Sequence, residues 1–448
     1  MKPQDRPLHA SVRLAPDRAS RIRRAPTRQR ILQAVTEVSA ARGYRKLTVE
    51  QVIERAGVSR STFYEHFSDR DECFLTALDG LSNALIERLE SVEPNEAGGT
   101  PGPLIEVLCG YVSEDRVAAR VLFSESLSAG AESLDRREEL RRRTTILIAA
   151  ASPRVSLEDE QAEVVLDDLV GGLFRLFAMR LRHGRSREGE FRPADLAAWV
   201  DSYSSVLARP SRRRLAATTR KGLKPTEPFE LRPLSAGRHH FSDAEVAMNQ
   251  RLRIFAATVR LSYESGYSSV TVAEITAAAR VSRNAFYQQF RDKSEAATRA
   301  LDLILEQVIG SSAGAFCSAS QWPERVWKAA RAFGLIFAAA PDYAHVGLVE
   351  THAIGDEAVQ LVYDRIGAFM LFLEEGYRRR APERELPRVS SEAIGAAMFE
   401  IAFRALRERR QPEWYSALLP QFVFICLAPF MGPEQALDFA HEKAQDIA

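Results

Sequence analysis

The run Ser59-Arg60-Ser61-Thr62-Phe63-Tyr64-Glu65-His66-Phe67 sets a helix-capping hydroxyl directly before side chains able to read a base pair. Phe63 and Phe67, four apart, share one helix face. At roughly 100° per residue, Ser61 and Glu65 then lie opposite, with Thr62 and Tyr64 on the flanks. Arg60, in the first turn, has the reach to contact a base. A second run, Ser282 to Phe290, repeats the arrangement. There Phe286 and Phe290 face inward, Asn284 and Gln288 face outward, and Ala285 and Tyr287 flank them. Arg suits guanine, Asn or Gln suits adenine, and Thr or Ala can touch a thymine methyl. Glu65 can instead repel phosphate. These groups recognise an edge; they do not break bonds. No Walker loop, Gly-x-Ser-x-Gly or Gly-x-Gly-x-x-Gly occurs, and the spacing of His345, Glu350 and His352 matches no standard metal site. No catalytic residue, metal or cofactor is assigned.

Positioning these residues requires a short preceding helix and a tight turn. Thr48 stands at the N-cap of VEQVIERA, and Gln51 can complete a capping box. Val52, Ile53 and Ala56 give that helix an inner face, Gly57 permits a left-handed turn, and Val58 plugs the gap. In the second copy Thr271 caps VAEITAAA, but Arg280 stands where Gly57 was. Arginine disfavours positive φ, which leaves the geometry of the second turn open. The copies align without a gap. Gly43 and Gly266, like Tyr64 and Tyr287, are 223 residues apart, about half of the 448-residue chain. A whole unit of about 220 residues is therefore duplicated.

The segments GYRKLTVEQVIERAGVSRSTFYEHFSDRDE and GYSSVTVAEITAAARVSRNAFYQQFRDKSE resemble the DNA-binding domain of the TetR family of one-component transcriptional regulators. The likeness covers about 50 residues per copy. It implies an all-α fold: two units in tandem, each a three-helix DNA-binding domain carrying the helix-turn-helix, followed by a helical ligand-binding and dimerisation domain. It further implies that Thr48, Thr271, Tyr64 and Tyr287 meet phosphate and that Arg70 and Lys293 are the basic residues opening the fourth helix. Arg60, Ser61, Thr62, Glu65 and His66 would face bases in one copy, and Arg283, Asn284, Ala285, Gln288 and Gln289 in the other. A typical member carries one such unit and binds as a homodimer. The tandem arrangement departs from that.

The remainder reads as helical. Ile31, Val35 and Val38 form one stripe; Leu81, Leu85 and Leu89 another; Val326, Ala330, Phe333 and Phe337 a third; Val362, Ile366, Phe369 and Leu373 a fourth. The expected divisions are a basic tail at 1–26, a helix-turn-helix domain at 27–78, a helical regulatory domain at 79–208, a basic proline-containing linker at 209–242, a second helix-turn-helix domain at 243–299 and a second regulatory domain at 300–448. The family pattern places a dimer face on helices near 160–183 and 193–208, and near 389–409 and 412–428. The small residues Gly171, Gly172, Gly395, Ala396 and Ala397 would admit close approach there. An effector cavity would draw on Phe123, Phe174, Phe177, Trp322, Trp327, Phe333, Phe337, Phe369, Phe372 and Phe399.

A formal net charge of +1 excludes a chain-wide basic coat, though not local patches. Four widely spaced cysteines with no Cys-x-x-Cys fit a reducing cytoplasm rather than a disulfide scaffold. No apolar run reaches the ~18–20 residues of a membrane span, and no h-region follows the N-terminal arginines. The expectation is a bacterial, cytoplasmic, nucleoid-associated repressor that binds a double-stranded operator and is released by a small hydrophobic effector. It would act as an intramolecular pseudo-dimer on an imperfect palindrome, with further homo-oligomerisation open. The alternative is an interaction or co-regulatory protein whose second helix-turn-helix no longer reads DNA. Both halves have the length of a regulator unit, leaving no spare catalytic domain.

Overall fold

In the computed structural model the described residues are 26–92, 101–152, 155, 160–182, 192–208, 242–380, 386–408 and 414–445. The basic tail and the linker lie outside them, apart from Pro26 and Ser242 at their ends. No strand occurs among the described residues. The first half comprises α1 (Thr27–Arg42), α2 (Val49–Ala56), α3 (Arg60–Tyr64), α4 (Arg70–Glu90), α5 (Gly102–Glu114), α6 (Arg116–Phe123), α7 (Ala131–Ala150), α8 (Glu160–Arg182), α9 (Pro193–Asp201) and α10 (Ser204–Ala208). The second half repeats the order. Its helices are α11 (Asp243–Ser265), α12 (Val272–Ala279), α13 (Arg283–Tyr287), α14 (Lys293–Cys317), α15 (Trp322–Ala339), α16 (Pro341–His345), α17 (Thr351–Ile354), α18 (Asp356–Phe369), α19 (Glu374–Arg379), α20 (Val389–Arg407), α21 (Trp414–Met431) and α22 (Pro433–Gln445).

The register of the duplication changes along the chain. In the helix-turn-helix segments the offset is 223. Beyond them it is 225: α6 and α16 start at Arg116 and Pro341, and α7 and α18 at Ala131 and Asp356. Gly130 and Gly355, which precede that second pair, both have positive φ. The same offset aligns Gly171-Gly172-Leu173-Phe174 with Ala396-Ala397-Met398-Phe399. Two extra residues thus lie between the repeated motif and the helices behind it.

The two halves pack on each other along α8 and α20. A Cβ on Gly172 would sit 2.7 Å from the Cβ of Ala397, so these helices approach nearly backbone to backbone. Arg180 donates to Glu392 at 2.6 Å, and the buried Tyr203 hydroxyl donates to the Ile425 carbonyl at 2.8 Å. The helix expected at 193–208 is broken into α9 and α10.

One helix departs from the sequence expectation. Lys293–Cys317 is long and apolar enough to cross a membrane by length and composition, with mean hydropathy 1.2 over its best stretch. Its alanines and leucines have another use: Ala296, Ala297, Ala300 and Leu301 are fully buried in the cluster beneath the second helix-turn-helix.

Candidate nucleic-acid interface

Each helix-turn-helix is built by the caps read from the sequence. Thr48 accepts from the Gln51 amide at 3.3 Å while Gln51 Oε1 accepts from the Thr48 amide at 3.1 Å. Thr271 and Glu274 make the same box. Ser59 and Ser282 accept from the Thr62 and Ala285 amides at 3.1 and 3.0 Å. Phe63 and Phe286 are wholly buried, so α3 and α13 are anchored from below. Ser61, Glu65, Asn284 and Gln288 are exposed, as are Arg60, Arg283 and the caps Thr48 and Thr271. Thr62, His66, Ala285 and Gln289 are half-buried at the flanks. Tyr64 and Tyr287, at 46% and 56% exposure, are among the most exposed large rings of the chain. Nothing in the apolar core accounts for aromatics held outward at matching positions of both copies.

The outer faces are not equivalent. Arg60 lies 3.3 Å from Glu50 and over the Tyr64 ring at 5.8 Å, which holds its guanidinium before any ligand arrives. In the second copy Glu50 is replaced by Ala273, and Gln289 instead accepts from Arg251 at 3.3 Å.

The turn left open by the sequence is formed. Arg280 takes φ 53°, ψ 48°, the left-handed conformation that Gly57 takes at φ 63°, ψ 45°. Among the described residues it is the one non-glycine with positive φ. Arg253 helps to hold it, donating to the Ala279 carbonyl at 2.9 Å; Arg30 donates to Ala56 and Gly57 at 2.9 and 2.8 Å in the first copy. These two arginines, 223 residues apart, were missed in the sequence although they fall inside the repeat.

Arg70 and Lys293 are placed differently from the outer residues. Arg70 donates to the Leu47 carbonyl at 2.5 Å. Lys293 donates to Tyr267 and Val270 at 2.9 and 2.7 Å, and burial draws its ammonium below the usual lysine range. Both are tied to the turn that precedes the first helix of the motif.

A second missed pair connects each motif to the helices behind it. The buried carboxylate of Glu125 accepts from the Tyr44 amide at 2.9 Å. Glu350, 225 residues later, accepts from the Tyr267 amide at 3.2 Å. Arg120 balances Glu125 at 3.2 Å, whereas Glu350 has His345 at 3.8 Å. Glu350 ends a π-helical turn, Val346–Glu350.

The aromatic candidates divide between the halves. Phe123 packs against Phe174 and Phe177 with ring centroids 4.9 and 5.3 Å apart, and all three are fully buried core. Trp322 and Trp327 are also buried, and neither belongs to the wall of the cavity in the second half. Phe333, Phe337, Phe369, Phe372 and Phe399, by contrast, line a cavity of about 90 Å³ in the second half, with walls that are apolar except for Arg365. That is room for several waters' worth of ligand, since one water needs roughly 10–15 Å³. Leu348, inside the π-helical turn, is part of the wall.

Comparison with known proteins agrees with this geometry. The family described as "Bacterial regulatory proteins, tetR family" matches at residues 31–77 and again at 254–296. The chain carries two tetR-family segments in tandem. Curated relatives include the transcriptional activator FasR of Mycolicibacterium smegmatis, 28% identical over 24% of this chain and 49% of FasR. TcmR, a transcriptional regulator of Streptomyces glaucescens, is 30% identical over 30% of this chain and 63% of its own length. The chain therefore spans about half to under two thirds of these two relatives. The transcriptional repressor Rv1474c of Mycobacterium tuberculosis is 28% identical over 41% of this chain and 95% of its own. Each copy keeps the scaffold of the motif while its outward residues differ.

Proposed function

We propose that this chain is a ligand-responsive repressor that binds its operator as a single-chain pseudo-dimer. The observation that carries the reading is the close packing of Gly172 on Ala397, which joins two regulatory halves that each hold an intact helix-turn-helix. A homodimeric reader needs two chains to present two recognition helices to one face of DNA, about one helical turn apart. Here both helices are already present in one chain. Arg60, Ser61, Thr62, Glu65 and His66 read one half-site, and Arg283, Asn284, Ala285, Gln288 and Gln289 read the other. The operator is an imperfect palindrome, bound in one orientation. Tyr64, Tyr287, Thr48 and Thr271 meet phosphates, and Arg70 and Lys293 support them from the turn. The protein acts in the cytoplasm, on the nucleoid.

The effector is small and hydrophobic, and it enters the cavity of the second half. Its route to DNA is short: Leu348 lines the cavity, and Glu350 two residues later holds the Tyr267 amide. A ligand that presses on Leu348 moves the π-helical turn and, through Glu350, the second motif. It lowers operator affinity because it binds the DNA-incompetent arrangement more tightly. The repressor named among the relatives is consistent with this direction of control.

The test is selection of bound sequences from a random DNA pool, with mass measured on the selected site. One chain per site and unlike half-sites are expected. Arg60→Ala should relax one position of one half-site, worth about 1–3 kcal/mol of discrimination, while Tyr64→Phe weakens binding to all sequences alike. An obligate two-chain complex using one motif per chain on a perfect palindrome overturns the reading.

A further inference from the structure

The contact between the halves is polar at its centre, and the polarity is one-sided. Glu400, wholly buried on α20, receives Arg137 Nη1 at 2.5 Å on one oxygen. On the other it receives Arg175 Nε at 2.8 Å. The Arg175 guanidinium also lies over the rings of Phe399 and Phe403 at 4.4 and 4.8 Å. Beside this triad, Arg404 pairs with Asp167 and Asp168, and Gln421 donates to Asp168. Both arginines of the triad come from the first half and the carboxylate from the second.

The register of the duplication gives this a meaning. With the offset of 225, Gly172 is equivalent to Ala397, and these two meet. In a two-fold pairing, the residue on the axis meets its own equivalent. Arg175 and Glu400 are likewise equivalent positions, and they too meet. Arg137 is equivalent to Val362, and Asp168 to Ala393. Thus, of the two equivalent pairs that meet, the one that carries charge carries opposite charges in the two halves.

We infer that Arg175 and Glu400 are a pairing code that admits the first half against the second and rejects either half against a copy of itself. Two first halves would bring together the guanidiniums of Arg175 and Arg137 from each, with no carboxylate at the position of Glu400. Two second halves would bring Glu400 against Glu400, with Val362 where Arg137 stood; Arg404 would lose Asp168 to Ala393 and keep an acid, Glu392, where Asp167 stood. Either assembly buries like charges, which an interior does not tolerate without counter-charges. The inference rests on the pseudo-dimer reading and adds to it the partner that the interface accepts.

The experiment uses the full-length chain and three variants: Arg175→Glu, Glu400→Arg and the double exchange. The double exchange keeps the charge composition of the triad but sets the arginine introduced at position 400 beside Arg137, so it should return a single chain of 50.0 kDa whose operator binding exceeds that of either single variant without reaching wild type. Each single variant should lose the internal pairing. Co-expressed with distinguishable tags, the two single variants should form a mixed complex of two unlike chains, because each half then finds a matched partner on the other chain. If a single variant is insoluble alone, its recovery in soluble mixed complex on co-expression reports the same result. Mixed complexes no more abundant than same-variant complexes, or a double exchange no better than either single, overturns the code. The outcomes separate from those of the underlying reading. A wild type that binds as one chain while the co-expressed variants ignore each other loses the code alone. A wild type that forms two-chain complexes through like halves loses both.

Discussion

Replacing Gly172 with alanine sets two opposing effects against each other. In a helix interior, Gly→Ala alone gains about 0.5–1 kcal/mol, because glycine has more backbone freedom to lose on folding. At Gly172 the added methyl would lie 2.7 Å from Ala397 Cβ, 3.0 Å from its Cα and 3.2 Å from its nitrogen. Carbon atoms rest about 3.5–4.0 Å apart, so α8 and α20 would have to part by roughly 1 Å. Two of the three obstructing atoms are backbone and cannot rotate away. Forcing an extra methylene into packed space costs typically about 1–3 kcal/mol. The crowding outweighs the propensity gain, leaving a net loss of about 1–2 kcal/mol. Gly310 and Gly314 on α14 supply the control, since a Cβ there meets nothing within 4 Å. Alanine at either should stabilise by the full propensity gain. Thermal unfolding of the three variants under one buffer should show the Gly172→Ala midpoint falling and the other two rising. Moving the methyl across the contact, as Gly172→Ala with Ala397→Gly, should recover part of the loss, since it removes the nearest obstruction and leaves the backbone Cα and nitrogen of residue 397. A Gly172→Ala chain that melts as high as Gly314→Ala, or a double variant no better than the single, would show that the two helices do not meet as described.

Arg280→Gly should raise stability by about 1 kcal/mol, because an L side chain in the left-handed region is strained and glycine is not; a lower melting temperature would mean that the arginine side chain contributes more than its backbone costs. Burial alone would push the Glu400 carboxyl up, but Arg137 and Arg175 outweigh it and hold it down at about 2, against an ordinary 4.5. A carboxyl depressed in the folded state stabilises above its unfolded value, so this contribution is intact above pH 4.5 and is lost as pH falls toward 2. Asp168, which burial pushes up despite Arg404, works against it. The stability difference between wild type and Glu400→Gln, measured by urea titration, should therefore shrink across that window, and a difference independent of pH would contradict the ion pairing. Ala330→Phe places a ring in the cavity of the second half and should abolish the effector response while operator binding persists; an unchanged response would locate the effector elsewhere.

The helix-turn-helix was legible because its determinants are local. Caps, an i, i+4 aromatic pair and a turn residue all fall within twenty positions, and the duplication displays them twice. The turn at Arg280 was harder, since residue type argued against a conformation that the surrounding contacts impose. The centre of the interface was not legible. Arg137 sits in the run Arg136 to Arg143, which reads as a solvated helix face, and only the arrival of Glu400 from 263 residues away makes it buried. The aromatics teach the same lesson. Phe123 and Phe399 are alike in sequence, yet whether a ring fills space or borders it depends on the small residues opposite, such as Ala329 and Ala330, which lie on another helix.

The shared backbone behind the Gly172–Ala397 contact bears on how many molecules a cell needs. When two separate chains must associate before binding, the competent species dwindles faster than total protein on dilution, and folding itself can depend on concentration. Halves joined in one chain meet at a local concentration that the cell's copy number does not alter. On the proposed single-chain reading, operator occupancy would fall with the number of chains and not with its square, so a gene could stay controlled with few of them, and chance fluctuation in their number would not be amplified by an assembly step.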